Sequence, residues 1–302
     1  MRGHGLPVAI VHACLRGGGA DGRGHGGSPT AVLDDVALSD AERRRIPTLS
    51  GTSHAVFVSV REERTHEPAV SLRFFTAEGE LPACGHGTVA ALAFLAERAE
   101  GDERAVRAEG DEYRATLHTA GRVFAGRATR RATHVDATFD AGRIGLRAAT
   151  AGECDLVLPA LGIAPDAVAA DIRVGSPGRS RLLVPVAGRS ALAALDPDPE
   201  RLRAACDRLG FLGCCVYSVP TPTGRMAARV FAPSIGVPED IANANSTACL
   251  AAHLADRGFT EIAVEMGDSL GSPATITAGT SGTSIHLGGA ARVTRTVRLP
   301  PG

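Results

Sequence analysis

The segment Arg73–Thr88, RFFTAEGELPACGHGT, sets a carboxylate, a thiol and an imidazole within seven residues: Glu80, Cys84 and His86. These types suit proton transfer on a small acidic molecule. A glycine-rich turn feeding a helix leaves backbone N–H groups unpaired at the positive end of the helix dipole, which favours a bound carboxylate. Cys84, Gly85, Gly87 and Thr88 are therefore expected to form an anion cradle, with Glu80 on its border as the base. Apolar Leu81 and Pro82 beside Glu80 would raise its pKa by desolvation, as a group needs if it is to take a proton and return it. A solvated surface glutamate is the alternative that position alone leaves open.

The elements that must hold this segment are mostly strands. Short β-branched and apolar runs recur between Gly, Pro and Asp at 8–11, 55–60, 70–76, 113–118 and 135–139. In the second half they fall at 155–158, 181–186, 215–219, 226–231, 274–277 and 292–299. Ser39-Asp40-Ala41-Glu42 reads as a capping box that starts an Arg-rich helix stopped by Pro47, and Pro199–Leu209 as an amphipathic helix ended by Gly210. Two further helices, TVAALAFLAERA from Thr88 and TACLAAHLADRG from Thr247, are apolar nearly all round and must be buried. Each follows a carboxylate at a matching distance, Glu80 in one case and Glu239 or Asp240 in the other, so the chain reads as a weak internal repeat. Each half would be strands wrapped around one helix, the two helix starts facing a shared ligand cleft. The stretch Gly17–Gly27 lacks a Lys-Ser/Thr step and reads as a loop, not a phosphate cradle.

Composition removes several classes. All 32 basic residues are Arg, spread along a chain of 302 residues with formal net charge -1, which argues against a nucleic-acid partner. Without Lys there is no internal aldimine, Schiff-base lysine or Walker lysine. With 44% hydrophobic and 22% charged residues and no long uncharged apolar run, the chain reads as an ordinary globular protein without membrane spans. Seven irregularly spaced Cys read as reduced thiols of a cytoplasmic protein. No metal is expected, since Cys84 and His86 lack a second ligand pair at zinc-like spacing.

FTAEGELPACGHGT resembles the first signature of the PhzF-like family, a Phe-Thr-Pro segment, Glu-Leu-Pro, then Cys-Gly-His-Ala-Thr opening a helix. RVFAPSIGVPEDIANANSTACLAAHL, from Arg229, is similar to its second, Arg-x-Phe-x-Pro and Gly-Val-x-Glu-Asp-Pro-Ala-Thr-Gly-Ser-Ala before a buried helix. Gly27-Ser28-Pro29, the Ser176–Val184 loop and strand, and Gly271-Ser272-Pro273 fall in the family's order. The resemblance implies an α+β, two-lobed diaminopimelate epimerase-like fold, each lobe a curved sheet around a buried helix. The lobes are expected at 1–133 and 134–302, with the last strand returning to the first. It further implies a homodimeric isomerase without metal or organic cofactor, acting on a small-molecule carboxylate. Glu80 would move the proton, Asp240 would orient or protonate the substrate, and His86 would stand beside them unless the turn keeps it for structural reasons. Asn243, Asn245, Ser246, Ser176 and Gly178 would line the substrate site.

Departures from the family pattern redirect the substrate. Ile241–Asn245 replaces Pro-Ala-Thr-Gly-Ser, putting a carboxamide where a hydroxyl is expected. His54 stands where many members have an acid, and His12 replaces an Asp. The expected substrate is thus an unsaturated amino or hydroxy acid of specialised metabolism other than the phenazine precursor. A two-thiol racemase is disfavoured, because Asn243 occupies the place of Cys84 in the second half and Cys249 lies within its helix, as a packing residue would. A non-catalytic binding protein remains the other alternative, opposed by retention of Glu80 and Asp240.

Overall fold

A computed structural model describes residues 5–17, 24–61, 67–101, 112–282 and 284–300. The chain divides into two compact units, Met1–Asp140 with Gly288–Gly302, and Ala141–Leu287. The first carries β1 (Leu6–Leu15), β2 (Ser28–Asp34), α1 (Asp40–Ser50), β3 (His54–Val60), β4 (Ala69–Phe75), β5 (Glu80–Leu81), α2 (Gly85–Gly101), β6 (Glu112–Thr119), β7 (Arg122–Arg130) and most of β8 (Val135–Gly142). The second carries β9 (Gly145–Ala148), α3 (Ala151–Leu161), β10 (Arg173–Ser176), β11 (Arg181–Val186), α4 (Arg189–Ala193), α5 (Pro199–Leu209), β12 (Gly213–Ser218), β13 (Arg225–Ala232), β14 (Val237–Asp240), α6 (Ala244–Ala255), β15 (Glu261–Met266) and β16 (Ala274–Ser281). The last strand, β17 (Ser284–Leu299), pairs antiparallel with β1 from Leu6↔Leu299 to Leu15↔Ala290. No helix among the described residues is long and apolar enough to cross a membrane.

Within each unit the order of pairings is the same. β2 runs parallel to β3, β3 antiparallel to β4, β4 antiparallel to β5 and parallel to β6, with α2 between β5 and β6. Correspondingly, β11 runs parallel to β12, β12 antiparallel to β13, β13 antiparallel to β14 and parallel to β15, with α6 between β14 and β15. A parallel pair needs a crossover, and a helix apolar on every side supplies one that fills the curve of the sheet. α2 packs on β1, β2, β3, β4, β6 and β7, and α6 on β9, β10, β11, β15 and β16. The alanines of both helices are what let strands approach from several directions: Ala90, Ala91, Ala93, Ala248 and Ala251 have essentially no exposed surface. Outside this central packing, α1 covers the opposite face of the first sheet over Ile10, Leu33, Phe57 and Phe75, while α3 and α5 cover the second unit's sheet over Leu182, Val184, Val216 and Phe231.

Three readings of the sequence need correction. The 155–158 run is not a strand but the middle of α3, whose N-terminus is a capping box of Thr150 and Glu153 and whose end is Gly162 in the left-handed conformation. The run has no period-two alternation, and the S/T-x-x-E signal stood just ahead of it. Pro47 does not stop α1, which continues to Ser50 and ends at left-handed Gly51. Proline removes only its own N–H and crowds one carbonyl, and in the last turn of a helix the remaining bonds suffice. The boundary expected at 133/134 falls inside the β7–β8 hairpin, where Arg130 pairs with Val135, and the compact unit extends to Asp140. Most of the Gly17–Gly27 loop lies outside the described residues.

A tight helix–sheet seam lies between β10 and α6, where a Cβ on Gly175 would come within 2.6 Å of the Cβ of Cys249. Gly175→Ala is expected to destabilise the protein by about 1–3 kcal/mol, the scale of overpacking a dense core. A lowered urea midpoint with unchanged slope would show this, and an unchanged midpoint would show that α6 can shift at no cost.

Candidate functional site

The residue at the start of β3 decides the site in the first unit. Alternate residues of a strand face opposite sides. Ala55 and Phe57 point to the α1 side. His54 and Val56 point to the other, against the start of α2, where a Cβ on Gly87 would meet Val56 Cγ2 at 3.0 Å and Phe74 Cδ1 at 3.1 Å. His54 and His86 are each 2% exposed, and their rings meet edge to face with centroids 4.4 Å apart. Cys84 Sγ lies 3.6 Å from His86 Nε2. His54 Nδ1 is paired with Ser53 Oγ at 2.9 Å. Burial, and then the neighbouring His86, hold the pKa of His54 well below its ordinary value of 6.5, so its imidazole is neutral near pH 7.

The other residues of that segment sit differently from expectation. Glu80 is exposed and is held by a two-point fork from Arg73, Nε to Oε1 at 2.8 Å and Nη2 to Oε2 at 2.7 Å. Leu81 is half-buried and Pro82 exposed, so the apolar surroundings expected around Glu80 are not there. The second unit repeats the device. Arg229 forks Glu239 at 2.9 and 2.8 Å, and Arg73 and Arg229 each lie 5.1 Å from a ring centre, of Phe75 and Phe231 respectively. The strand registers agree, with Phe74 opposite Leu81 and Val230 opposite Asp240. Each glutamate stands five residues ahead of its helix. Glu80 therefore corresponds to Glu239, and the shared fork ties the strand that ends before the helix to the one that launches it. Thr88 and Thr247 also correspond: each hydroxyl turns back onto the carbonyl four residues earlier, of Cys84 at 2.9 Å and of Asn243 at 3.2 Å. Gly87 serves close approach to the sheet, and Gly85 lies buried in the same turn.

In the second unit Asp240 is buried and accepts from Ala242 N–H at 3.3 Å and from Asn243 Nδ2 at 3.0 Å. Asn243 caps α6, its Oδ1 accepting from Ser246 N–H at 2.8 Å and from Arg181 Nη1 at 3.1 Å. Arg181 also donates to Ser246 Oγ at 3.2 Å. Asn245 is half-buried in the first turn. Ser176 accepts from Gly178 N–H at 3.3 Å, closing the turn between β10 and β11, and exposed Gly178 has φ +133°. Cys249 has no exposed surface and burial pushes its thiol up to about 11, which fits packing against Gly175 better than proton transfer. All seven cysteines are unbridged.

The structure thus joins Cys84 and His86, places Asp240, Asn243 and Ser246 in one network, and adds Arg181 and His54, the latter marked in the sequence only as a departure from the family pattern. His54 carried a signal, as the first residue of a strand whose next inward position is Val56; Arg181 carried none. The ligand atoms of His54, Cys84 and His86 lie within 4.8 Å of one another. Sulfur and imidazole nitrogen suit a zinc-like ion, so folding supplies the third ligand that the Cys84–His86 spacing lacked. Without a metal, the same groups are a neutral imidazole with a second imidazole and a thiol at its edge, able to accept and return one proton.

The family model described as phenazine biosynthesis-like protein matches residues 22–296. An uncharacterised isomerase of Deinococcus radiodurans is 28% identical over 286 residues, 90% of this chain and 89% of that protein. The trans-2,3-dihydro-3-hydroxyanthranilate isomerase of Pseudomonas fluorescens is 28% identical over 266 residues, 86% and 87% of the two chains. The solved structure of a predicted epimerase from Pseudomonas aeruginosa superposes with a TM-score of 0.79 at 24% identity, covering 98% of this chain and 100% of that one. The α+β fold is accordingly the diaminopimelate epimerase-like one.

Two measurements follow. In the unfolded chain a histidine takes its proton near pH 6.5, whereas buried His54 does not. Stability is therefore lost as pH falls below 6.5, by up to about 1.4 kcal/mol per pH unit for this group. Urea titrations at pH 7.0 and 5.5 are expected to show a smaller loss for His54→Gln than for wild type, and equal losses would mean that His54 is protonated when folded. Glu80→Gln, whose pair is 33% exposed on both sides, is expected to cost under about 1 kcal/mol. Glu239→Gln, at 12%, is expected to cost about 1.5–3 kcal/mol. The reverse order would contradict a shared structural role.

Proposed function

The chain belongs to the phenazine biosynthesis-like protein family, and we propose that it is an isomerase moving a proton, and with it a double bond, within a small unsaturated amino or hydroxy acid. Relatives along most of its length are named isomerases, one of them acting on dihydrohydroxyanthranilate. The carrying observation is the buried His54–His86 pair at the start of α2.

In the tautomer whose Nδ1–H donates to Ser53 Oγ, neutral His54 carries its lone pair on Nε2, the atom that would take the reacting proton. It would break a C–H bond next to the acid's unsaturated carbon and form N–H, as the electron pair shifts the double bond one position. The imidazolium would then return that proton to the far carbon of the three-carbon unit, restoring neutral His54. One group suffices, because proton and electron pair stay within one substrate molecule, and no oxidant, reductant or organic cofactor enters the balance. His86, edge-on to His54, would stabilise the ring's orientation. Asp240 acts through Asn243, as a positioning residue for the first turn of α6. Glu80 as the base is less well supported, since both its oxygens are engaged by Arg73 and its counterpart Glu239 is engaged identically. A divalent metal on His54, Cys84 and His86 is the second reading, favoured by their mutual distances; stoichiometric zinc in the purified protein would establish it.

Incubation in deuterated water with a panel of unsaturated amino and hydroxy acids, dihydrohydroxyanthranilate included, would show a shifted double bond by NMR. His54→Gln is expected to lower turnover roughly 10²-fold or more, the scale of a lost acid–base group, with Glu80→Gln close to wild type. The opposite ranking returns the proton to Glu80. No rearrangement of any acid overturns the isomerase reading.

A further inference from the structure

We propose that Arg181 forms an anion-binding subsite at the start of α6, suited to the carboxylate of a small acid. In the first unit the parallel pairing of β2 and β3 sets Thr30 opposite His54; in the second, that of β11 and β12 sets Arg181 opposite Gly213. Gly213 has no room for a side chain, since a Cβ would run 1.9 Å from the Phe231 carbonyl oxygen. What reaches the helix start on this side is the long side chain of Arg181. The same place is filled by imidazoles in one half and by a guanidinium in the other.

The state of that guanidinium points to an anion. Arg181 is 2% exposed. Its hydrogen bonds go to neutral oxygens: Asn243 Oδ1, Ser246 Oγ and, at 3.4 Å from Nη2, the Arg179 carbonyl. Nε is buried with no partner. The other buried arginine among the described residues, Arg43, is matched by Asp35, and half-buried Arg229 by Glu239. The nearest acid in the network, Asp240, is separated from Arg181 by the Asn243 amide, which donates to the one and accepts from the other. A buried cation without an anion is among the costliest arrangements a fold can carry, and a guanidinium keeps its charge where other groups would shed it. Beside it, the first-turn amides of Ala244 and Asn245 have no carbonyl inside the helix, because Asn243 caps Ser246 and accepts from Thr247 only. Half-buried Asn243 and Asn245 form the accessible rim. A fork of Nε and Nη2 is the geometry in which a guanidinium takes a planar two-oxygen anion. That the anion is a carboxylate rests on the proposed reaction; that an anion binds does not.

Thermal melts in sodium formate, against sodium chloride at equal ionic strength, test the subsite without turnover. Formate at about 100 mM is expected to raise the wild-type midpoint by roughly 2 °C or more. Arg181→Gln, which keeps polar contacts but no charge, should lose that shift. Equal shifts in both proteins, or none in wild type, overturn the proposal. If Arg181→Gln does not fold, wild-type crystals grown in formate decide: formate within hydrogen-bond distance of Arg181 Nε supports it, and formate only elsewhere, an adventitious additive only, overturns it. The two ideas fail separately. A formate response lost in Arg181→Gln, with no acid isomerised, leaves the subsite and removes the reaction. Isomerisation with unchanged KM in Arg181→Gln, and no formate response, does the reverse.

Discussion

A helix buried around its whole circumference has no polar face through which to be placed, so its position must be set at its ends. In both units this falls to an arginine lying over a phenylalanine ring and forking a glutamate on the next strand, Arg73–Phe75–Glu80 and Arg229–Phe231–Glu239. The fork holds two strands in register and delivers the chain, five residues on, to the first turn of the helix. Guanidinium geometry matters here, because two parallel hydrogen bonds fix an angle that a lysine's single point charge would not. A chain whose cations are all arginine is equipped for this device wherever it recurs.

With the helices placed, their first turns bring buried polar groups into largely apolar units, and the two have been furnished differently. The start of α2 meets His54 and carries His86 behind Cys84, three groups that can bind or move a proton. The start of α6 meets Arg181 and carries Asn243 and Ser246, groups that bind but do not titrate near neutrality. A duplicated scaffold can thus carry different side chains at corresponding helix starts, while Glu80 and Glu239 accept the same arginine fork in both.

The packing that permits this is close enough to dictate residue choice some distance from any ligand. Gly175 yields to Cys249, and Gly87 to Val56 and Phe74, so small residues are required where a helix start is pressed onto a sheet. Cys249, which sequence position alone could have offered to a thiol mechanism, is spent on that seam, and burial raises its pKa accordingly.

The α+β class came with the family resemblance, whereas the two buried helices, the capped helix at Ser39 and the one ending at Gly210 were legible from the sequence alone, because periodicity, caps and glycines are local signals. So was the grouping of Cys84 with His86, two residues apart in one turn. The 155–158 run was misread because a short apolar run has no period of its own, and Pro47 because a proline in a final turn breaks little. Whether Glu80 was buried or exposed could not be read from Leu81 and Pro82, since desolvation depends on what packs above a residue and not on its neighbours in sequence. That Arg73 occupies its carboxylate, that His54 reaches His86 from 32 positions away, and that Arg181 meets Asn243 from 62 away, were decided only by how the strands pair and in which register. Those are properties of pairing between distant segments, and a linear chain carries no mark of which partner each segment will find.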